Sequence, residues 1–475
     1  MSTRKNAVYN VAYRMFSIFL PLLTAPWLSR VAGQAGVGLY EYAWSISYVF
    51  CLVGMLGLEN YGVRAIARVK DDPPQLSRTF SQIWRMQLLV AGVTLLGWGI
   101  YAAFIAGEER AIALPLTLMS VSCLVNLDWC LMGLGEFRPI ALRNTAVKLM
   151  GAAAVFLLVR SPEDLWLYAL VWSLTTLIGC LSCWATLRGK VRLIAVPWPE
   201  ALRHLAPCAM LFTSVIAVSV YRQMDKVMVG AIAGMAQNGL YASAEKIIYC
   251  LSGLISAIGT VMLPKATRMA SRGEEAALKK HLRFTMDLML CMTSALAFGV
   301  AAVAEDFAPL FFGADFAAAG ELMIPLAFTL LTIAWANVIR TQWILPHGRD
   351  KLLILSVCTG AAVNLLGNTL LIPRLGAMGA VIGTLLAETA VPLVQYLRLR
   401  RELDWKPYLI SLARYALLGA VMLLIVRAAD ALLPFTGWLA LAVEVCLGAA
   451  VYAAGTLAIW RATGNEAAGV LLRRG

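Results

Sequence analysis

Residues 32–48, AGQAGVGLYEYAWSISY, return as AGMAQNGLYASAEKIIY at residues 233–249, a constant offset of 201. Ala32, Gly33, Gly38, Leu39, Tyr40, Ala43, Ile46 and Tyr48 recur identically. Each copy joins two long apolar runs, so the repeat relates segments of the same kind. How many such runs the chain holds, and which way they point, then decides the fold.

The chain has 475 residues, of which 60% are hydrophobic and 14% charged, and its mean hydropathy is +0.75. Soluble domains carry about 25% charged residues, so this composition points to a polytopic membrane protein. A helix needs about 20 apolar residues to cross a bilayer core. Fourteen segments meet that length: roughly 8–31, 38–58, 83–106, 111–133, 140–160, 165–187, 207–233, 239–263, 284–304, 321–345, 352–372, 377–397, 409–428 and 436–460. The apolar run after MSTRKNAVYN is too long for a signal-peptide core and reads as an uncleaved first span.

With the N-terminus in the cytoplasm, 29 of the 40 Lys and Arg residues fall at inside positions and only Arg30, Arg110, Arg160, Arg374 and Arg427 at outside ones. That asymmetry is the positive-inside pattern, and fourteen spans return the C-terminus to the cytoplasm. It also accounts for the net charge of +13 without nucleic acid as a partner. The two repeat copies bridge spans 1–2 and spans 7–8. Six spans separate them, so they share one orientation, as in transporters built from two parallel lobes. The expected architecture is an all-α bundle. Two six-helix lobes surround a central cavity, followed by two C-terminal helices. The corresponding segments are 1–190 (spans 1–6), 191–400 (spans 7–12) and 401–475 (spans 13–14 and a tail).

Span 7 contains SVYRQMDKVMVG, residues 219–230. Arg222, Asp225 and Lys226 fall at i, i+3 and i+4 and share one helix face. Three charges at mid-membrane depth cost on the order of 8–10 kcal/mol before compensation. Within the span, Asp225 neutralises one cation and leaves one positive charge over. Two readings stay open: an internal ion pair that locks packing, or a hydrated cavity that receives an anion. Phosphate suits several Arg and Lys groups acting together. Further cations within the spans are Arg14, Lys148, Lys246 and Arg340, each able to meet cargo or to snorkel or pack.

The acids within spans include Glu41, Asp128, Asp225, Asp287, Glu388 and Glu444. Glu41, Asp128, Asp225 and Glu388 are candidates to bind H⁺ or Na⁺ and drive alternating access. Asp287 and Glu444 read as hydrogen-bonded structural acids. Pro21 and Pro26 interrupt span 1, giving either a gating bend or a static kink. Gly376, Gly379 and Gly383 resemble a small-residue packing face. The ten cysteines lie within spans, and the Cys180–Cys183 pair reads as small apolar packing. The three histidines are scattered, so no metal or other cofactor is expected.

The opening NVAYRMFSIFLPLLTAPWLSRVAGQAGVGLYEYAWSISY, the blocks YRQMDKVMVG, NGLYASAEKI and MLPKATR, the stretch RTQWILPHGRDK and NLLGNTLLIPRLGAMGAVIGTLLAE (364–388) resemble, in order and spacing, polysaccharide flippases of the Wzx type. These belong to the multidrug/oligosaccharidyl-lipid/polysaccharide exporter superfamily. The resemblance covers essentially the whole chain. It implies translocation of an undecaprenyl-diphosphate-linked oligosaccharide, such as an O-antigen repeat unit, from the cytoplasmic to the periplasmic leaflet of the bacterial inner membrane. It implies Arg222 and Lys226 as cavity cations. Arg14 and Glu41 are similar to a span-1 base and a span-2 acid of peptidoglycan-precursor flippases. Membrane lipids, a polysaccharide polymerase and chain-length machinery are the implied partners. A multidrug efflux antiporter of the same superfamily is the alternative, although its cationic cargo would prefer an acidic cavity. A membrane glycan polymerase or ligase would need a long external catalytic loop. The longest external segment here, EDFAPLFFGADFAAAGE (305–321), is short and holds no Arg, Lys or His, so the chain reads as a non-enzyme.

Overall fold

Apolar segments that meet lipid must satisfy their backbone hydrogen bonds internally, which leaves the helix as the local solution for a chain of this composition. The computed structural model describes residues 3–463 except 433 and 435; the side chains of residues 3–21 and of 213–215, 217, 218, 220 and 221 lie outside this description. The described chain is helical nearly throughout. A bridge between Arg188 and Val191 is the one β pairing among the described residues.

The chain divides into two compact units, residues 1–242 and 243–475. The first holds α1 (Thr3–Met55), α2 (Leu58–Val69), α3 (Pro73–Ile100), α4 (Arg110–Val125), α5 (Asp128–Gly133), α6 (Phe137–Leu158), α7 (Leu165–Leu187), α8 (Trp198–Leu202), α9 (Leu205–Ala233) and the start of α10 (Met235–Ser271). The second holds the rest of α10 together with α11 (Glu275–Phe312), α12 (Ala317–Ala327), α13 (Thr329–Ile339), α14 (Asp350–Leu375), α15 (Ala377–Leu399), α16 (Lys406–Asp430) and α17 (Trp438–Thr463). Among the described residues, 12 helical stretches are long and apolar enough to cross a membrane. The other two expected spans are the N-terminal limb of α1 and helix α9, both of which include residues outside the side-chain description. The molecule is therefore an all-α, multi-pass membrane protein.

Local chemistry sets several boundaries. Asp72 caps α3 by accepting from the Gln75 amide at 3.2 Å, with proline at the first helical positions, where a missing N–H costs nothing. The break in α1 lies at Gly33 (φ 65°, ψ −177°), between its two limbs rather than at the prolines. The expected span 111–133 is interrupted after Val125. There the Asn126 side chain accepts the Asp128 amide at 3.0 Å, and buried Gln87 donates to the carbonyls of Cys123 (2.6 Å) and Asn126 (2.9 Å). These bonds satisfy the groups that a broken helix exposes.

Within the first unit, α2, α3 and α5 bury Leu58, Ile66, Phe80, Ile83, Met86 and Trp129 in one cluster. Within the second, α11 is the central helix, with Met286, Met289, Ala297 and Ala301 buried. Helices α14 and α15 pack tightly through small residues. A Cβ on Gly379 would stand 2.5 Å from the Leu371 carbonyl, and one on Gly383 would stand 2.3 Å from the Asn368 side chain. The small-residue face expected from the sequence is thus a packing face. Leu96, Phe104 and Leu424 are 70%, 84% and 66% exposed, which suits lipid rather than water as their neighbour.

Candidate functional site

The two repeat copies meet inside the first unit. Gly33 and its equivalent Gly234 both take positive φ (65° and 92°) with extended ψ (−177° and 165°), a region essentially reserved for glycine. Each ends one span and redirects the chain into the next. Five residues on, Gly38 and its equivalent Gly239 face one another. A Cβ on Gly38 would stand 1.8 Å from the Met235 carbonyl oxygen, and one on Gly239 would stand 2.0 Å from that of Gln34. The Asn238 amide donates to the Gly38 carbonyl at 2.7 Å. The identical glycines of the repeat are therefore required by a backbone crossing, not by composition.

This crossing brings the C-terminal limb of α1 beside α9 and sets three polar contacts there. Lys226 Nζ lies 3.6 Å from Glu41 Oε2, with their side chains only 12% and 9% exposed. Asp225 is 1% exposed and accepts the Tyr241 hydroxyl at 2.9 Å. Ser45 donates to Gln223 Oε1 at 3.0 Å. Close packing holds the crossing, since a Cβ on Gly230 would stand 2.7 Å from the Tyr42 ring. Arg222 is half-buried one turn away on α9.

The charge balance expected from span 7 alone needs correcting. Glu41, contributed by α1, supplies a second carboxylate, so Arg222, Lys226, Asp225 and Glu41 sum formally to zero. The surplus positive charge disappears once both helices are counted, because the acid facing Lys226 comes from a distant part of the sequence. An ion pair in the interior is worth little net stability, but removing one partner leaves the other as an uncompensated charge.

The other sequence candidates lie elsewhere. Asp128 is held by Arg143 at 2.8 Å, with Cys183 donating to the same carboxylate at 3.2 Å. The Cys180–Cys183 pair thus sits beside a structural ion pair. Lys148 is half-buried on α6. Lys246 on α10, Arg340 at the π-helical turn after α13 and Glu388 on α15 are half-buried in the second unit. The Arg14 side chain lies outside the described residues. Asp287 accepts from Ser411 at 2.6 Å and Tyr415 at 2.9 Å, as expected for a structural acid. Glu444 departs from that expectation: it is 1% exposed, and neither carboxylate oxygen has a hydrogen-bond partner.

Outside the spans, His204 precedes α9 and is 7% exposed. Its Nδ1 lies 2.6 Å from the Tyr61 hydroxyl and its Nε2 3.2 Å from Gln82 Oε1. Burial, then the neighbouring Arg203, pushes its pKa down to about 4. Nearby, Glu200 accepts from Arg78 (2.9 Å) and Gln82 (2.7 Å), and these bonds hold its carboxyl below the usual range. Sequence reasoning missed Tyr241, Gln223 and Asn238. The signal that could have found Tyr241 was the repeat, in which it is the equivalent of Tyr40.

Comparison with known proteins places the chain in a family. The model of the polysaccharide biosynthesis protein family matches residues 3–270, more than half of the chain, and the chain belongs to that family. It is 22% identical over 402 residues to a Shigella dysenteriae protein provisionally named an O-antigen transporter, covering 82% of this chain and 98% of the relative. It is 21% identical over 232 residues to a Haloferax volcanii protein provisionally named a low-salt glycan biosynthesis flippase, covering 49% and 48% of the two chains. Among solved structures, the lipid II flippase MurJ in an inward closed conformation superposes with a TM-score of 0.75 at 13% identity, covering 97% of this chain and all of MurJ. That likeness establishes the shared fold.

Proposed function

We propose that this member of the polysaccharide biosynthesis protein family is a flippase of the bacterial inner membrane. It carries an undecaprenyl-diphosphate-linked oligosaccharide, such as an O-antigen repeat unit, from the cytoplasmic to the periplasmic leaflet, with both termini in the cytoplasm. The observation that carries the reading is the match reaching 98% of the length of a relative provisionally named an O-antigen transporter. The relatives reported above are named as transporter and flippases, which supports transport rather than bond-making chemistry.

The charges of α1 and α9 suggest how such a cargo is handled. Lys226 faces Glu41 across two helices, and Arg222 lies one turn away. A diphosphate offers more negative charge and more acceptor oxygens than a carboxylate. In this reading it displaces Glu41 from Lys226 and engages Arg222 in a forked contact. Glu41, relieved of its cation, then takes H⁺ or Na⁺, which couples ion binding to alternating access. Asp225 and Glu388 are the further coupling acids. Arg14, Lys148, Lys246 and Arg340 are the further cargo cations. Asp128 is structural, being tied to Arg143.

The test is the leaflet distribution of lipid-linked repeat units in cells lacking the protein. A complete repeat unit retained on the cytoplasmic leaflet, with surface polymer lost, is the expected result. Unchanged surface glycan together with new drug sensitivity would overturn the reading in favour of a multidrug exporter.

A further inference from the structure

Three carboxylates converge in the second unit. Asp306 near the end of α11, Asp430 at the end of α16 and Glu444 in the second turn of α17 each place a carboxylate oxygen within 4.8 Å of the others. Two of them, Asp306 and Asp430, are half-buried at the ends of their helices. Glu444 is different. It is 1% exposed, both its oxygens are buried without a hydrogen-bond partner, and it is aimed at the other two.

Local cations do not settle this arrangement. Arg427 forms its short contact, 2.8 Å, with Glu305, and stands 3.9 Å from Asp306. One guanidinium thus serves two neighbours before Asp430 and Glu444 are counted. Carboxylates this close cannot all ionise without a counter-charge, and an ionised carboxylate removed from water without partners is costly. Either a bound cation or a shared proton must complete the site.

We propose that Asp306, Asp430 and Glu444 form a binding site for a hard divalent cation, Ca²⁺, that ties α17 to α11 and α16. The donors are exclusively oxygen, which excludes the softer transition metals as preferred occupants. Ca²⁺ takes six to eight oxygen ligands at about 2.3–2.6 Å in flexible geometry. Three carboxylates, one or more of them bidentate, supply part of that shell. The half-exposed Asp306 and Asp430 leave the remainder to water and provide the way in. Mg²⁺ demands stricter octahedral geometry and gives up its water reluctantly. The site uses none of the groups invoked for translocation, so it stands or falls separately from that reading.

The experiment uses the full chain in detergent, stripped with chelator. Equilibrium dialysis measures bound Ca²⁺, and a thermal-unfolding assay measures Tm with Ca²⁺, with Mg²⁺ and with chelator. One Ca²⁺ per chain and a Tm raised by Ca²⁺ more than by Mg²⁺ are expected. Glu444→Gln should weaken Ca²⁺ at least tenfold while its chelated Tm equals or exceeds that of the parent, since a repelling charge has gone. If that variant fails to fold, Asp430→Asn must show the same loss of Ca²⁺. Absence of stoichiometric Ca²⁺ at millimolar concentration overturns the proposal, as does unchanged binding in the variants. A Tm that rises only on acidification, and no longer does so in Glu444→Gln, assigns the site to a shared proton and overturns it equally.

Discussion

Gly38 and Gly239, equivalent positions of the internal repeat, lie against each other so closely that a methyl group on either would enter the opposing backbone. The crossing of α1 with the α9–α10 junction depends on this contact. Gly38→Ala and Gly239→Ala should each lower stability by at least the roughly 1–3 kcal/mol typical of overpacking, because the neighbour is backbone and cannot swing aside. Gly92→Ala on α3 is the control, since a Cβ there meets nothing within 4 Å. Thermal unfolding in detergent and protein level in the membrane would check this. A Gly38→Ala protein as stable as the control would refute the crossing.

The Glu41–Lys226 pair separates structure from transport. Lys226→Met should destabilise by about 3–5 kcal/mol, the range for losing one partner of an interior pair. The exchange Glu41→Lys with Lys226→Glu should recover much of that stability. It should not recover transport if Lys226 meets the cargo phosphate, because the cation has moved to the other helix. Full transport in the exchanged protein would reduce the pair to a packing device.

Asp225 offers a smaller effect. Tyr241→Phe removes its hydroxyl donor, and hydrogen bonds to charged groups are worth about 1.5–3 kcal/mol. The loss should appear as a lower Tm, and the losses from Tyr241→Phe and Asp225→Asn should be less than additive in the double variant. Additive losses in the double variant would show that the two side chains act separately.

His204 sets a pH dependence. Its folded pKa, about 4, lies below the ordinary value of about 6.5. A depressed folded value means that the unfolded chain binds the proton first. Stability associated with His204 is therefore complete above about pH 6.5 and is lost as pH falls towards 4. Each unit of depression corresponds to about 1.4 kcal/mol. Unfolding midpoints measured between pH 7 and pH 4.5 should fall more steeply in the parent than in His204→Gln. Parallel slopes would contradict the buried neutral imidazole.

The spans were legible because lipid imposes a length and an apolar composition that survive any detail of packing, and the repeat was legible because both copies need the same glycines. Interruptions inside spans were harder to foresee. The break at Asn126 depends on Gln87 reaching across from α3, a partner no local pattern reveals. The pairing of Lys226 with Glu41 was hidden for the same reason, and it altered the charge balance inferred from span 7. The acids Asp306, Asp430 and Glu444 come from three separate helices, so only the packing of those helices brings them together. The separation of structural acids from others was right for Asp287, whose donors are on α16, and wrong for Glu444, which has none.

The Gly38–Gly239 contact has the form of a self-complementary dimer interface, in which position i of one copy touches position i of the other. In a pair of identical chains, every charge on one side would be repeated on the other. Here the two copies are fused, and the symmetry is free to lapse. Pro21, Thr24 and Ala25 stand at the positions where the second copy carries Arg222, Asp225 and Lys226. A single peptide chain thus permits what a homodimer forbids: a base on one copy, Lys226, facing an acid on the other, Glu41, with Ala25 and Ala242 at their equivalent positions.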